Sequence, residues 1–216
     1  MYLPPYHAEP DVHVMHALIH KHPLGTWVSV DAQEMVANHI PFVFDASRGA
    51  HGTLRAHVSR ANPVWQTLSG NTPSLVIFQG PQSYITPSWY PSKLTDGKVV
   101  PTWNYTVVHA RGVARAIDDP TWIHQLITDL TQANESSNPQ PWSVSDAPAD
   151  FIEHMAKAIV GIEIPITAMV GKSKLSQDEA TADRMGTVDG LTQQGDANAT
   201  GLASLIQDRI FAQGQA

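Results

Sequence analysis

Apolar positions near the start of the chain recur at helical spacing. Val12, Met15, Leu18 and Ile19 share one face between Glu9 and His22, and Pro23 with Gly25 closes the run, so a short amphipathic helix is predicted there. From Thr26 to Asp118 the period shortens to that of strands. Trp27–Val30, Ile40–Phe44, Leu54–Ser59, Leu75–Phe78 and Trp103–Ile117 are β-rich runs, set apart by Ser47-Arg48-Gly49, Gly80-Pro81 and Asp96-Gly97. Short strands without regular helices between them predict an antiparallel barrel or sandwich and argue against a doubly wound sheet.

The pattern turns helical after Asp118. Asp119 is placed to cap a helix with Pro120 in its first turn and an apolar stripe of Trp122, Ile123, Leu126, Ile127 and Leu130. Asn138-Pro139-Gln140-Pro141 is a break, Ala149–Ala158 reads as a further helix, and Ile162, Ile164 and Ile166 alternate within a strand over Ile159–Val170. Ser176-Gln177-Asp178-Glu179 has the spacing of a capping box, which predicts a helix starting there. A last helix is predicted over Ala197–Ala212, with a frayed Gly/Gln/Ala end.

Composition narrows the function classes. The 216 residues are 42% hydrophobic, enough to bury a sizeable core in one domain. Cysteine is absent, which removes disulfides, thiolate metal sites and cysteine nucleophiles together. The opening Met1–His13 has neither a basic nor an apolar signal region, and no apolar run approaches the ~18–20 residues that span a bilayer. The expectation is a cytoplasmic protein with no membrane partner. The net charge of −7 is uneven: residues 1–117 carry eight Lys/Arg against six Asp/Glu, and residues 118–216 carry five against fourteen. That balance disfavours a broad nucleic-acid footprint but leaves room for a small anionic ligand on the first part.

Three segments carry candidate chemistry. In Thr53–Pro63, strand alternation puts Arg55, His57 and Ser59 on one face; such a row is ordinarily a solvent face. Its end is more informative, because Ser59, Arg60 and Asn62 meet a helix start at Asn62-Pro63, where a hydroxyl, a guanidinium and helix amides together suit a phosphate. In the second segment, Tyr84, Trp89, Tyr90, Trp103 and Tyr105 lie among Ser88, Thr102, Asn104 and prolines rather than in an apolar stripe. They read either as a shelf for a flat ligand or as packing at strand ends or a dimer interface. The third, Lys172–Gln177, carries Lys172 and Lys174; such an exposed pair is ordinarily solvated, and the alternative is that it supplies positive charge to an anion from a neighbouring subunit. There is no dinucleotide fingerprint, P-loop or G-x-S-x-G elbow, and His13, His16 and His20 are read as surface histidines rather than a metal site.

Taken in order, His39-Ile40-Pro41-Phe42, His57–Pro63, Phe78-Gln79-Gly80-Pro81, Tyr84–Tyr90, Pro101–Tyr105, Trp142, Ile159-Val160-Gly161 and Lys174–Gln177 resemble the PaiB family of FMN-binding negative transcriptional regulators. Two positions depart from the family's pattern: Ser59 stands where Ala is usual, and Thr86 where Ser is usual. The resemblance implies a mainly β fold with peripheral helices (α+β), the FMN-binding split barrel, built on a six-stranded antiparallel barrel. It implies one domain over residues 1–216 with a C-terminal helical extension from about 177. It also implies FMN bound at the interface of a homodimer. The expected cofactor-binding set is His57, Ser59, Arg60, Asn62, Tyr84, Ser88, Trp89, Thr102, Trp103, Asn104, Tyr105, Lys174 and Gln177, with Lys174 and Gln177 reaching towards the partner.

The regulatory role follows from the resemblance alone, since no helix carries a run of Lys and Arg that could enter a DNA groove. Direct DNA binding is therefore doubtful. A stripe of Arg48, Arg55, Lys93, Lys98, Arg111 and Arg115 would have to supply it. Two alternatives stand beside the regulator. One is an FMN-dependent oxidoreductase of the flavin-reductase or pyridoxamine-phosphate-oxidase kind, for which only His57 and His109 are at hand as proton-transfer groups. The other is a haem-binding split-barrel protein using a histidine ligand.

Overall fold

Alternation of buried and exposed residues organises the sheet. In a computed structural model that describes residues 1–31, 34–68 and 73–213, nine strands and five α-helices are found among the described residues. The strands are β1 (Ala8–Glu9), β2 (Leu24–Asp31), β3 (Glu34–Pro41), β4 (Val43–Asp45), β5 (Thr53–Ser59), β6 (Pro73–Ile85), β7 (Thr102–Val113), β8 (Arg115–Ile117) and β9 (Ile159–Lys174). The helices are α1 (Val12–Lys21), α2 (Pro120–Glu135), α3 (Ala149–Lys157), α4 (Thr181–Gln194) and α5 (Ala197–Gln213). The strand order is β3-β2-β6-β7-β9-β5-β4, with β1 and β8 also paired to β9, and every register described is antiparallel. Three of the nine strands have only two or three residues, which leaves six long ones.

The chain packs as two compact units. One consists of Met1–Leu18, Gln79–Val108 and Val170–Ala216; the other of Ile19–Phe78 and His109–Met169. In the second unit Trp27, Leu54, Ala56, Val76, Phe78, Leu126 and Ile162 are fully buried. Gly25 has no room for a Cβ there, because one would run into Val76 and Phe78. In the first unit Ile85 of β6, Tyr90 and Leu175 join Val188 and Leu191 of α4 and Ala199, Leu202 and Ile206 of α5 in one apolar cluster.

Several expectations of local structure hold. Asp119 caps α2, its carboxylate accepting the Trp122 N–H at 2.7 Å. Asn62 caps a short 3-10 helix, Pro63–Thr67, accepting the Val64 N–H at 3.0 Å. Others are corrected. The run Ile40–Phe44 is two strands separated at Phe42, whose N–H instead donates to the Pro23 carbonyl at 2.9 Å. Gly80-Pro81 is no turn: β6 continues through it, and Gly80 is there because a side chain would strike Thr106 and Leu18. The capping box at Ser176–Glu179 does not form. Ser176 is buried with φ of 58°, its hydroxyl accepts from Asn104 Nδ2 at 2.8 Å, and α4 begins later, at Thr181. The frayed end expected after Ala212 falls mainly on residues 214–216, which lie outside the described residues.

Candidate functional site

In the first unit, period-two alternation turns Gln82 and Tyr84 outward from β6 while Ile85 enters the core; on β7 it turns Trp103 outward while Asn104 is buried. Tyr84 and Trp103 meet edge to face, ring centroids 6.2 Å apart, and both are about half exposed. With Trp89 they line an open cleft of about 880 Å³. Its other lining residues are Gln82, Ser83 and Thr86, together with Gln194, Asp196, Ala197 and Asn198 at the junction of α4 and α5.

The remaining candidates of this unit support that wall. Lys174 Nζ donates to Thr102 Oγ1 at 2.5 Å and to the Trp103 carbonyl at 2.9 Å, so it pins the strand that carries the indole. Burial holds the Lys174 ammonium below its ordinary pKa. Gln177 closes its own turn, accepting the Leu175 N–H at 2.7 Å and donating to the Ser173 carbonyl at 2.5 Å. Tyr105 lies under the Lys172 ammonium, 5.2 Å from ring centroid to Nζ. Ser88 accepts from Lys93 Nζ at 3.3 Å. Among the described contacts, Lys174 and Gln177 thus serve their own chain.

In the second unit, His57 and Ser59 lie at the end of β5 and Arg60 and Asn62 in the turn that follows it. Arg60 donates to both carboxylate oxygens of Asp118, at 3.0 and 2.6 Å, and to the carbonyls of Lys157 at 2.8 Å and Ile159 at 3.1 Å. These contacts use four of its five N–H donors. The pairing raises the Arg60 pKa and lowers that of Asp118. Asn62 Nδ2 donates to Asn38 Oδ1 at 2.8 Å, and the Ser59 hydroxyl accepts the Ala61 N–H. Two buried polar atoms here, His57 Nδ1 and Asn38 Nδ2, have no hydrogen-bond partner, and burial lowers the His57 pKa so that the imidazole is neutral. The proposed stripe of cations is largely neutralised in this unit. Arg48 and Arg115 both bind the buried Glu163 carboxylate, at 2.9 and 3.4 Å, and Arg55 binds Asp129 at 2.8 Å.

The residues therefore fall into two sets, nine in the first unit and four in the second. Sequence reasoning missed Gln82, Gln194, Asp196 and Asn198. Gln82 was legible from its alternation with Tyr84. Nothing local marked the α4–α5 junction as lining anything. No helix among the described residues is long and apolar enough to cross a membrane.

Comparison with known proteins adds three findings. The family described as "Putative FMN-binding domain" matches residues 1–168. An uncharacterized protein of Emericella nidulans is 35% identical, covering 97% of each chain, and the protease synthase and sporulation protein PAI 2 of Bacillus subtilis is 29% identical, covering 99% of this chain and 100% of that one. Among solved structures, the flavocytochrome Anf3 from Azotobacter vinelandii superimposes with a TM-score of 0.56 at 14% identity, over 80% of this chain and 72% of that one. At that identity the likeness shows the fold, a split barrel with peripheral helices.

Proposed function

Because this chain belongs to the PaiB-type FMN-binding family, we propose that it binds FMN as a cytoplasmic homodimer and represses transcription through a partner or through the state of its flavin, rather than by autonomous DNA binding. The observation that carries the flavin reading is the cleft of the first unit. Tyr84 and Trp103 present half-exposed rings beside amide side chains, which suits a flat heteroaromatic ring with a polar edge. FMN supplies reversible redox chemistry at that ring. The protein's own part is to stack it, read its edge and limit its contact with water.

The phosphate calls for different chemistry. No lining residue of the cleft is Lys or Arg. The turn at Arg60 keeps one guanidinium N–H uncommitted beside the amides at the start of the 3-10 helix and is our candidate anion site, considered by itself. The dimer reading is supported by large apolar side chains left uncovered in the segment that precedes β7, Leu94 at 92% and Val100 at 73% exposure. The doubt about DNA is supported by the carboxylates that occupy Arg48, Arg55, Arg60 and Arg115.

A visible spectrum of reconstituted protein and a calorimetric titration test the reading. Flavin bands, a stoichiometry near one per chain, and FMN binding about tenfold or more tighter than riboflavin are expected. A Soret band would replace flavin by haem. Equal affinities for FMN and riboflavin would remove the phosphate contact, and an Arg60→Ala protein that binds inorganic phosphate as well as the wild type would overturn the anion site at Arg60.

A further inference from the structure

The cleft has two walls of different origin. Tyr84 and Trp103 come from the sheet; the opposite rim is the α4–α5 junction, which lies beyond the matched span of residues 1–168. Trp89 joins the two. Gly186 and Gly190 sit one turn apart on α4, and a side chain on Gly186 would run into the Trp89 carbonyl oxygen, while one on Gly190 would run into the indole itself. Gly190 thus leaves room for the indole, and Gly186 for the backbone that carries it.

The junction has its own design. Gly195, with φ of 74°, ends α4. Asp196 then caps α5, one carboxylate oxygen accepting the N–H groups of Asn198 at 2.9 Å and Ala199 at 3.0 Å, the other accepting from Gln194 Nε2 at 2.8 Å. Two of the amides that this helix N-terminus would offer an anion are taken by the chain's own carboxylate. These hydrogen bonds also hold the Asp196 carboxyl below the usual carboxylate range, so it stays ionised. What remains at the rim is one fixed negative charge with no lining Lys or Arg to balance it.

We propose that the α4–α5 pair is the specificity element of the cleft: Gly186 and Gly190 seat Trp89, and Asp196 makes the cleft favour an uncharged ring over an anionic one. The proposal rests on the reading that the flavin ring occupies this cleft. It follows that the oxidised, neutral ring binds more tightly than the reduced ring, which is anionic above neutral pH, and that the phosphate end lies away from Asp196.

Two variants test it, with lumiflavin, riboflavin and FMN as probes. In an open helix, Gly→Ala is favourable. In Gly190→Ala the new methyl must displace Trp89, and all three probes should weaken by the same factor, about tenfold, because all three share the ring. Asp196→Asn keeps a capping side chain and removes the charge. It should leave oxidised FMN within about twofold while tightening reduced FMN by ~2–5-fold at low ionic strength, an effect that shrinks with added salt. The melting temperature should fall only slightly, because the capping oxygen is kept while its charge-assisted hydrogen bonds become neutral ones. A folded Gly190→Ala with wild-type affinity for all three probes would overturn the seating role. An unchanged ratio of oxidised to reduced affinity in Asp196→Asn would overturn the charge role, and decides the matter alone if Gly190→Ala does not fold. Failure of the wild-type protein to bind any of the three probes would instead overturn the flavin reading on which the proposal rests.

Discussion

His57 shows how one half-buried side chain sets a pH response. It stands on β5 opposite Gly161 of β9, its Nδ1 lacks a partner, and burial depresses its pKa below the ordinary 6.5. Its folded pKa is lower than its unfolded one, so below pH 6.5 the unfolded chain binds the proton first. Stability is then complete above the unfolded pKa and declines as pH falls towards the folded one. His22 and His109, also depressed chiefly by burial, act in the same direction. Melts between about pH 5 and 8 should show falling stability on the acid side, and His57→Gln should flatten that slope; an unaltered slope would assign the effect to the other histidines. The sequence located His57 on a polar strand face, but its missing partner depends on neighbours that no local pattern names.

At the scale of elements, the helices whose ends are written in capping residues were legible, and α2 begins where Asp119-Pro120 says it should. Ser176–Glu179 carried an equally good local signal and failed. Asn104 competes for the same hydroxyl, and a buried side-chain bond outweighs an exposed cap. The α4–α5 pair is held by packing, because Leu191, Leu202 and Ile206 are fully buried against Ile85 and Leu175. Leu202→Ala should cost about 2–5 kcal/mol in denaturant unfolding, by lost burial and the cavity left behind. A loss below about 1 kcal/mol would mean that α5 contributes little to the fold.

At the scale of the whole molecule, strands β6, β7 and β9 each contribute residues to both packing units. One domain is therefore our reading, and a single cooperative transition seen alike by far-UV dichroism and tryptophan fluorescence is the expected result; two separated transitions would divide the chain. Light scattering at micromolar concentration should return twice the monomer mass, and a monomer would refute the dimer. Anisotropy titration of the holo-protein on its own promoter should show only weak, salt-sensitive binding. Nanomolar, sequence-selective binding at physiological salt would restore direct repression.

The sequence by itself determined that the chain is mainly β, since alternating apolar residues over Leu54–Ser59 and Ile162–Ile166 mark strands of an antiparallel barrel or sandwich, which the family resemblance narrowed to the split barrel. Its ordered motifs also identified the family, but they left Tyr84, Trp89 and Trp103 open between a shelf for a flat ligand and packing at strand ends or a dimer interface. Only the tertiary structure decided what the polar residues do. Arg60 has the composition of a phosphate ligand but spends most of its donors on Asp118 and two carbonyls, and Lys174 and Gln177 hold their own strand and turn. The opposite rim of the cleft comes from Gln194–Asn198, about ninety residues from Trp103 in sequence. The physical reason is that burial and periodicity act along the chain, where a pattern can record them. A hydrogen-bond partner or a facing wall is chosen across space, by whichever group the folded backbone brings within about 3 Å.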